Sequence, residues 1–321
     1  MMNRTRTTSP RHLTVVPLLA LALLGCGAGE RAGHTLRGTI EIDGSSTVFP
    51  VSEAVAEEFI AAGNRGVRVT VGVSGTGGGF KRFCAGETAI GNASRPIKES
   101  ERELCARNGI EFVEFPVAYD GIAVVAHADN TFVDCLTTAE LRRVWEPGSE
   151  VRLWSELRPE WPARPIQLYG PGPNNGTFDY FTGAIVGKEG SARTDYTASA
   201  DANILVQGVS GDAGSLGYFG YAYFEQNRER LKLLGVDAGQ GCVRPSRETI
   251  EAGTYTPLAR PLFIYVNRTE ARRPEVLAFL RFYLEQAASL APQVGYVPLD
   301  AAAYQRSLAH LSELAVADEA R

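Results

Sequence analysis

The sequence predicts an α/β fold, because strand-like and helix-like segments alternate along most of the chain. Polar and apolar residues alternate at 39–42 and again at 67–73, as they do in half-buried strands. Between these two segments, 50–62 carries apolar residues at helical spacing. A helix enclosed by two strands is the unit from which parallel α/β sheets are built.

The same alternation continues toward the C terminus. After a short helix opening at 80–85, the patterns predict a strand at 88–93 and a charged helix at 99–108 that ends at Gly109. The nearly continuous apolar run at 117–126 is typical of a buried strand. Further along, the patterns predict a helix at 138–145, a strand at 165–169, a helix from Thr177, a glycine-rich aromatic segment at 216–224, a strand at 261–266 and an amphipathic helix at 274–289.

Composition excludes some classes of protein. The 321-residue chain is 44% hydrophobic and 21% charged, which suits one or two globular domains rather than a disordered chain. The net charge is −5, so the chain offers no basic field for nucleic acid. An acidic protein that captures an anion must therefore use local hydrogen-bond donors.

The N-terminal segment predicts export. Residues 1–25 combine three arginines with an apolar run at 13–24 that is too short to span a bilayer comfortably. The run ends in two leucines, a glycine and Cys26, which resembles a bacterial lipobox, so we expect cleavage before Cys26 and a lipid on its thiol. The alternative is an ordinary signal peptide with a cysteine in its cleavage zone. Residues 26–38 are then expected to form a flexible tether.

Four further cysteines remain in the exported part: Cys84, Cys105, Cys135 and Cys242. An even number in an exported protein favours disulfides, and three connectivities are open. Metal ligation is the weaker alternative, because the cysteine spacings are wide and the chain has only 4 histidines. We therefore expect no metal ion and no cofactor.

Three segments share one design, in which a predicted strand leads into a loop of glycine and hydroxyl residues and then into a helix. They are loop 1 at 43–50, loop 2 at 74–80 and loop 3 at 170–178. Helix N termini expose unpaired N–H groups, glycine lets the backbone approach a ligand, and hydroxyls add donors. Ordinary capping and turn chemistry explains each loop taken alone. Together the three loops indicate a site for a small oxyanion.

Two common enzyme motifs are matched only incompletely in these loops and near them. Thr76 stands where the GxSxG motif requires glycine, and Thr182 stands where a P-loop requires glycine. His127 and His310, the histidines well inside the mature chain, lie outside all three loops. A Ser–His hydrolase is therefore poorly supported, and we expect no catalytic residue.

With these loops, the chain resembles the phosphate-specific substrate-binding proteins of ABC transporters. Six segments between Thr39 and Leu311 carry the resemblance in order: 43–50, 74–81, 92–97, 175–181, 214–219 and 294–299. The segment at 92–97 reads Asn-Ala-Ser-Arg-Pro-Ile, which is similar to a branch of the family with a Ser-Arg-Pro motif. The resemblance implies a type II periplasmic-binding fold, an α/β architecture of two lobes joined by two hinge strands.

The resemblance also implies where the lobes divide. The hinge crossings are expected near 116–118 and 260–263. Lobe 1 would then comprise 39–117 and 262–321, and lobe 2 would comprise 118–261. The first two of the four internal cysteines then fall in lobe 1 and the last two in lobe 2. We therefore favour the pairs Cys84–Cys105 and Cys135–Cys242.

The family pattern implies ligand-binding residues in loops 1 and 2. Loop 1 would supply the hydroxyl of Thr47 and the N–H groups of Thr47 and Val48, with Ser46 adjacent. Loop 2 would supply one hydroxyl. The extra glycine in the alignment leaves both Ser74 and Thr76 as candidates for it.

Loop 3 and segment 92–97 depart from the family pattern. Asn175, Gly176 and Thr177 occupy the places of a serine, a glycine and a threonine that bind the ligand in the family. Arg95 stands where many members have an aspartate that accepts the proton of hydrogen phosphate, and Pro171 stands where they have an arginine. We expect Arg95 to bind the oxyanion bidentately, a surface arginine being the alternative.

Because the family aspartate is missing, another residue would have to accept the hydrogen bond from the proton of hydrogen phosphate. Asp120 is a candidate replacement, and a hinge or turn carboxylate is the alternative explanation of that residue. Without an acceptor, the protein is expected to reject sulfate less well than members that keep the aspartate. Arg193 and Asp195 are further candidates for the rim of the cleft.

We therefore expect a monomeric binding protein that captures inorganic phosphate and delivers it to an ABC permease of the cytoplasmic membrane. It would be held by its lipid in the periplasm or at the cell surface. One alternative is a binder of another tetrahedral oxyanion, such as sulfate or molybdate. Others are a secreted phosphatase-like enzyme on the same fold and a lipid-anchored sensor or adhesin that has lost transport.

Overall fold

Strands and helices alternate from the start of the described part, as the sequence predicts. The structure is a computed structural model that describes residues 36–173 and 175–319, with side chains as far as residue 314. The first elements are β1 (Gly38–Gly44), α1 (Phe49–Ala61), β2 (Val67–Val71), α2 (Gly75–Cys84), β3 (Ile90–Ala93) and α3 (Glu99–Arg107). The predicted leader at 1–25, Cys26 and the tether as far as residue 35 lie outside the described residues.

The middle of the chain begins with a 16-residue strand, β4, at Phe112–His127. It continues with β5 (Cys135–Thr137), α4 (Thr138–Trp145), β6 (Gln167–Gly170), α5 (Gly176–Phe181), β7 (Thr197–Ala198), α6 (Ala202–Gly211), β8 (Ser215–Gly220) and α7 (Tyr221–Gln226). The remaining elements are β9 (Leu231–Leu233), β10 (Gly235–Asp237), β11 (Cys242–Val243), α8 (Arg247–Glu251), β12 (Ala259–Asn267), α9 (Pro274–Leu290) and α10 (Ala301–Glu319).

Several helices differ from the sequence prediction. Helix α2 begins at Gly75 rather than at Phe80, so the glycines of loop 2 form its first turns. Glycine has a low helix propensity, which is why the pattern alone indicated a loop there. Helices α6, α7, α8 and α10 have no counterpart among the predicted helices. Within the described residues, no helix is long and apolar enough to cross a membrane.

Strands β4 and β12 lie side by side at the centre of the main sheet. This nine-stranded sheet has the order β2-β1-β3-β12-β4-β8-β6-β7, and β9 also pairs with β4. The two central strands are antiparallel, and Arg260 lies opposite Asp120 in their register. The first half of β4 pairs with β12, and its second half pairs with β8 and β9. Both central strands therefore link the two ends of the sheet.

Two large hydrophobic clusters lie at these two ends. One gathers β1, β3, the first half of β4, β12 and the helices α1 and α9, with Phe59 edge-on to Phe279 at 5.3 Å between ring centroids. The other gathers the second half of β4 with β8, α4 and α5. In it, Phe181 stacks on Tyr218 at 3.7 Å, and Trp145 meets the same tyrosine edge-on at 4.8 Å. Because Phe181 ends α5, this aromatic packing fixes the helix that follows loop 3.

Two disulfides cross-link the fold. Cys84–Cys105 joins the end of α2 to α3, and Cys135–Cys242 joins β5 to β11. This is the pairing that the sequence analysis favours among the three connectivities. The bridged cysteines are 21 and 107 residues apart in the chain. Closing loops of such lengths stabilises a fold by roughly 2–4 kcal/mol each.

Candidate anion-binding site

Loop 1 is tied to loop 2 by the carboxylate of Asp43 at the end of β1. Asp43 is buried, and its Oδ1 accepts hydrogen bonds from Gly44 N–H at 2.7 Å and from Ser74 N–H at 3.0 Å. Its other oxygen forms an ion pair with Arg82 of α2. The loops at the ends of β1 and β2 are therefore held side by side.

Glycines allow these two loops to touch. A Cβ added to Gly79 would lie 2.4 Å from the Cα of Gly44, so α2 rests directly on the backbone of loop 1. Gly44 has a φ of +143°, and a Cβ there would lie 2.1 Å from the carbonyl oxygen of Asn92. Among the glycines of loop 2, Gly79 is thus required by close packing against loop 1.

The turn inside loop 1 is held by hydrogen bonds between residues of the loop itself. Ser45 accepts hydrogen bonds on Oγ from Thr47 N–H at 3.2 Å and on its carbonyl from Val48 N–H at 3.2 Å. The two N–H groups expected to bind a ligand therefore have partners within the loop, and the Val48 side chain is buried. The N–H of Ser46 makes no hydrogen bond to any described residue, so it is the free backbone donor of this turn.

Loops 1 and 2 border a cavity of about 510 Å³. Its hydroxyl lining comes from Ser45, Ser46, Thr47, Thr76 and Ser94. Its charged lining comes from Arg95, Asp179, Glu189 and Arg260. Hydroxyl and guanidinium donors facing one space are the groups that replace the hydration shell of an oxyanion.

The structure distinguishes the two hydroxyl candidates of loop 2. Thr76 lines the cavity, and its Oγ1 lies 3.1 Å from the hydroxyl of Ser94. Ser74 is the exposed residue that precedes α2, and it is not among the cavity-lining residues. Thr76 is therefore the residue placed to meet a ligand in this cavity, together with Ser94.

Arg95 lines the cavity but already has a carboxylate partner. Its two terminal nitrogens each donate to one carboxylate oxygen of Glu101, both at 2.8 Å. Its guanidinium also lies over the ring of Phe80, 5.6 Å from the centroid. Burial alone would raise the pKa of the Glu101 carboxyl, but the hydrogen bonds from Arg95 and from Lys98 N–H outweigh it and lower that pKa. The charge of Arg95 is therefore balanced within the protein.

A second arginine, Arg260 of β12, reaches the same cavity. Its Nη2 donates to Thr47 Oγ1 at 2.7 Å, and its Nε donates to Asp120 Oδ2 at 3.3 Å. Its guanidinium lies 3.6 Å from the centroid of the Tyr180 ring. The sequence analysis treated residue 260 only as part of a hinge crossing. A strand position before a proline gives no pattern by which such a contact could be recognised.

Loop 3 packs on loop 1 and faces an adjoining cavity. A Cβ on Gly176 would lie 2.8 Å from the Cα of Thr47. Asn175 precedes α5, and its side-chain oxygen accepts a hydrogen bond from Thr177 N–H at 2.8 Å. These three residues of loop 3 line a second cavity of about 370 Å³, and Ser46 lines both cavities. The predicted site residues are therefore divided between two adjoining spaces.

Comparisons with a family model, with related sequences and with solved structures agree on one family. A family model described as a PBP superfamily domain matches residues 29–287. Protein SphX of Synechocystis sp. (strain ATCC 27184 / PCC 6803 / Kazusa) is 50% identical, over 90% of this chain and 86% of that protein. The phosphate-binding protein PstS of Staphylococcus saprophyticus is 37% identical, over 92% of this chain and 91% of that protein.

Among solved structures, a possible phosphate binding protein from Planctomyces limnophilus DSM 3776 has a TM-score of 0.82 and 48% sequence identity. The match covers 87% of this chain and 99% of that one. The chain belongs to the phosphate ABC transporter substrate-binding proteins of the PBP superfamily. This membership confirms the type II periplasmic-binding fold expected from the six sequence segments.

In this substrate-binding protein, Asp120 does not line the cavity. Its side chain is fully buried, and burial raises the pKa of its carboxyl although Arg260 opposes the shift. Its Oδ1 has no hydrogen-bond partner among the described residues. The candidate proton acceptor of the sequence analysis is therefore placed as the partner of Arg260.

Two other carboxylates line the cavity of this family member. Asp179 lies in the first turn of α5, and Glu189 lies beyond it. Burial raises the pKa of the Asp179 carboxyl, the charge of Glu189 raises it further, and Arg260 opposes both effects. The sequence analysis did not identify either residue, because their positions match none of the motifs of loop 3.

Arg193 and Asp195 lie away from this cavity. The Arg193 side chain is only 3% exposed, and it donates to Asp195 at 2.6 and 2.8 Å. It also donates to the carbonyls of Val144 and Val151, at 3.0 and 3.1 Å. These contacts connect α4 with the following loop, so the pair serves the fold of the substrate-binding protein.

Proposed function

We propose that this substrate-binding protein captures inorganic phosphate outside the cytoplasm and delivers it to an ABC importer. The observation that carries the proposal is the cavity at loops 1 and 2, where five serine and threonine side chains and two arginines face one space. Such donors can replace the water around a tetrahedral oxyanion. The names of the relatives, phosphate-binding protein PstS above all, support phosphate as the anion.

The carboxylates of the cavity favour phosphate over sulfate or molybdate. Sulfate is fully ionised near neutral pH, so it would meet Asp179 and Glu189 with no proton to donate. The P–OH group of hydrogen phosphate can donate a hydrogen bond to one of these carboxylates, and its other oxygens can accept hydrogen bonds from the hydroxyls and arginines. We therefore propose Asp179 for the acceptor role for which Asp120 was a candidate, and with this acceptor good rejection of sulfate is expected.

The proposed mechanism is closure of two lobes on the ligand. Lobe 1 would comprise 39–117 and 262–321, and lobe 2 would comprise 118–261, with β4 and β12 as hinge strands. The two separate hydrophobic clusters support this division. A ligand that contacts both lobes stabilises the closed arrangement by its differential affinity for it. The contact of Gly176 with Thr47 supports a shared site at the junction.

The protein would act without catalysis. The staphylococcal relatives are named phosphate-binding protein PstS, which supports capture and release as the whole activity. A phosphatase-like enzyme on the same fold would release nitrophenol from p-nitrophenyl phosphate. The purified protein is expected to release none above the buffer rate, while it binds phosphate in the same buffer.

The proposed location is the outer face of the cytoplasmic membrane, the periplasm or the cell surface. Substrate-binding proteins of this family are extracytoplasmic. A lipid on Cys26 would hold the monomer near its ABC permease. Phosphate uptake that falls when the gene is deleted would distinguish this role from a sensor or adhesin that keeps the fold.

Isothermal titration with phosphate, arsenate, sulfate and molybdate tests the proposed ligand. Phosphate and arsenate carry protons at neutral pH and are expected to bind at one site per chain. Sulfate and molybdate are expected to bind at least about a hundredfold more weakly, a difference of about 2.7 kcal/mol. Saturation by sulfate or molybdate without a response to phosphate would contradict the proposal.

A further inference from the structure

We propose that Arg260, rather than Arg95, is the arginine that supplies the main positive charge to the bound anion. This assignment rests on the proposed phosphate function and names a ligand contact within the same cavity. The sequence analysis gives residue 260 no binding role. The two arginines differ in their partners, in their burial and in the elements that they connect.

The first difference is in the number of donors left for a ligand. Both terminal nitrogens of Arg95 donate to Glu101, and Nη1 also donates to the carbonyl of Pro96, so an anion must share this guanidinium with a bidentate carboxylate. Arg260 makes a single, longer hydrogen bond of 3.3 Å to a carboxylate, and its Nη2 donates to a neutral hydroxyl. Its Nη1 makes no hydrogen bond within the described part of the chain. Arg260 therefore keeps a donor that an anion can use.

The second difference is in exposure to solvent. The Arg260 side chain is 17% exposed, and that of Arg95 is 31% exposed. Charges interact more strongly where less water surrounds them. The Tyr180 ring at 3.6 Å covers one face of the Arg260 guanidinium. The planar fork is thereby held in one orientation, which lowers the cost of ordering it when a ligand binds.

The third difference is in the elements that each arginine connects. The Arg95 guanidinium contacts Glu101, Phe80 and the carbonyl of Pro96, all in the first 107 residues of the chain. Arg260 connects three separate parts of the fold: Asp120 on β4, Thr47 in loop 1 and Tyr180 in α5. Arg260 is thus placed where the two proposed lobes and the hinge strands meet, as a ligand that closes the lobes would require.

The test is isothermal titration of phosphate into wild type and four variants. Arg260→Gln removes the charge and keeps most of the length of the side chain. The double variant Arg260→Gln/Asp120→Asn also neutralises the buried partner, so that no unpaired charge destabilises the fold. Arg260→Lys keeps the positive charge but loses the planar guanidinium that can bind an oxyanion bidentately. Arg158→Gln is the matched control, because Arg158 also pairs with a carboxylate, that of Glu140, at 2.6 Å and lies over a ring, that of Trp161, at 4.6 Å.

We expect Arg260→Gln and the double variant to bind phosphate at least about thirtyfold more weakly than wild type, the lower end of the loss on truncating a buried charged contact. Arg260→Lys is expected to lose at least about tenfold. Arg158→Gln is expected to bind like wild type, because Arg158 does not line the cavity.

A folded double variant that binds phosphate within about threefold of wild type would overturn the assignment of Arg260. If neither neutral variant folds, unchanged affinity in Arg260→Lys would overturn it. Wild-type protein that fails to bind phosphate would instead overturn the proposed function, and this assignment with it.

Discussion

Arg260 and Asp120 face each other across the antiparallel strands β12 and β4, with 3.3 Å between Arg260 Nε and Asp120 Oδ2. Asp120 is fully buried, while Arg260 reaches the cavity at loops 1 and 2. The pair therefore holds the Arg260 guanidinium on the two strands that link the ends of the sheet, with Nη1 making no hydrogen bond within the described part of the chain. An acidic chain thus obtains a local cation where a bound anion needs it.

Arg95 and Glu101 should have opposite effects on phosphate affinity. Arg95→Gln is expected to weaken binding by only about 1 kcal/mol, since its charge is already balanced by Glu101. Glu101→Gln is expected to strengthen binding, because it frees the Arg95 guanidinium and removes a negative charge near the cavity. Isothermal titration measures both effects. A loss in Arg95→Gln larger than that in Arg260→Gln would make Arg95 the principal contact.

Asp179→Asn should reduce discrimination between phosphate and sulfate. The amide can no longer act as the carboxylate acceptor for the proton of hydrogen phosphate, and it repels sulfate less. We expect the ratio of the sulfate Kd to the phosphate Kd to fall at least about tenfold, or about 1.4 kcal/mol. Competition titrations at constant ionic strength measure this ratio. An unchanged ratio would exclude Asp179 as the acceptor.

The sequence was sufficient for the order of elements where hydrophobic periodicity was strong. It predicted the helix at α9 and the buried strand within β4 because their burial patterns are simple. It did not predict that α2 starts at Gly75, because glycine propensity hid a helix that close packing of Gly79 on Gly44 requires. Tertiary contact decided the structure at that point.

Local sequence patterns were also insufficient to identify every residue of the candidate anion-binding site. Thr47, and Thr76 as one of two candidates, could be proposed from motifs, because the hydroxyl and glycine pattern is local. Arg260 and Asp179 could not, because their approach to the cavity depends on strand register and on the packing of α5. The partner of Arg95 was also hidden. Glu101 lies six residues away, and only the start of α3 turns its carboxylate toward the arginine.

The Arg193–Asp195 pair should make stability depend on pH in the acid range. Hydrogen bonds from Arg193 lower the pKa of the Asp195 carboxyl to about 2, whereas an unfolded aspartate titrates at about 3.9. A lowered folded pKa means that the pair stabilises the fold above the unfolded pKa and that this contribution is lost as pH falls from about 4 to about 2. Half of the Asp195 side chain is exposed, so solvent screening limits the effect to about 1 kcal/mol.

Asp195→Asn is therefore expected to lower the Tm at pH 7 by about 2 °C. The difference from wild type should shrink as pH falls toward about 2, where the wild-type carboxylate is protonated as well. Calorimetry across this range measures the difference, and phosphate affinity at pH 7 serves as the control that should not change. A difference that stays constant at every pH would mean that Asp195 acts through packing alone.

Cys26→Ala should release the protein from the membrane or leave it as an uncleaved precursor. The expectation follows from the basic and apolar leader that ends at Cys26. Cell fractionation and gel migration of the wild type and the variant measure the change. Fractionation and migration identical to wild type would contradict the lipid anchor.

A crystal structure of the wild-type protein with phosphate would show which groups hold the anion. We expect one phosphate in the cavity at loops 1 and 2, with oxygens within about 3.2 Å of Thr76 Oγ1 and of a terminal nitrogen of Arg260. A phosphate bound elsewhere, or a cavity that holds only water at saturating phosphate, would contradict this expectation.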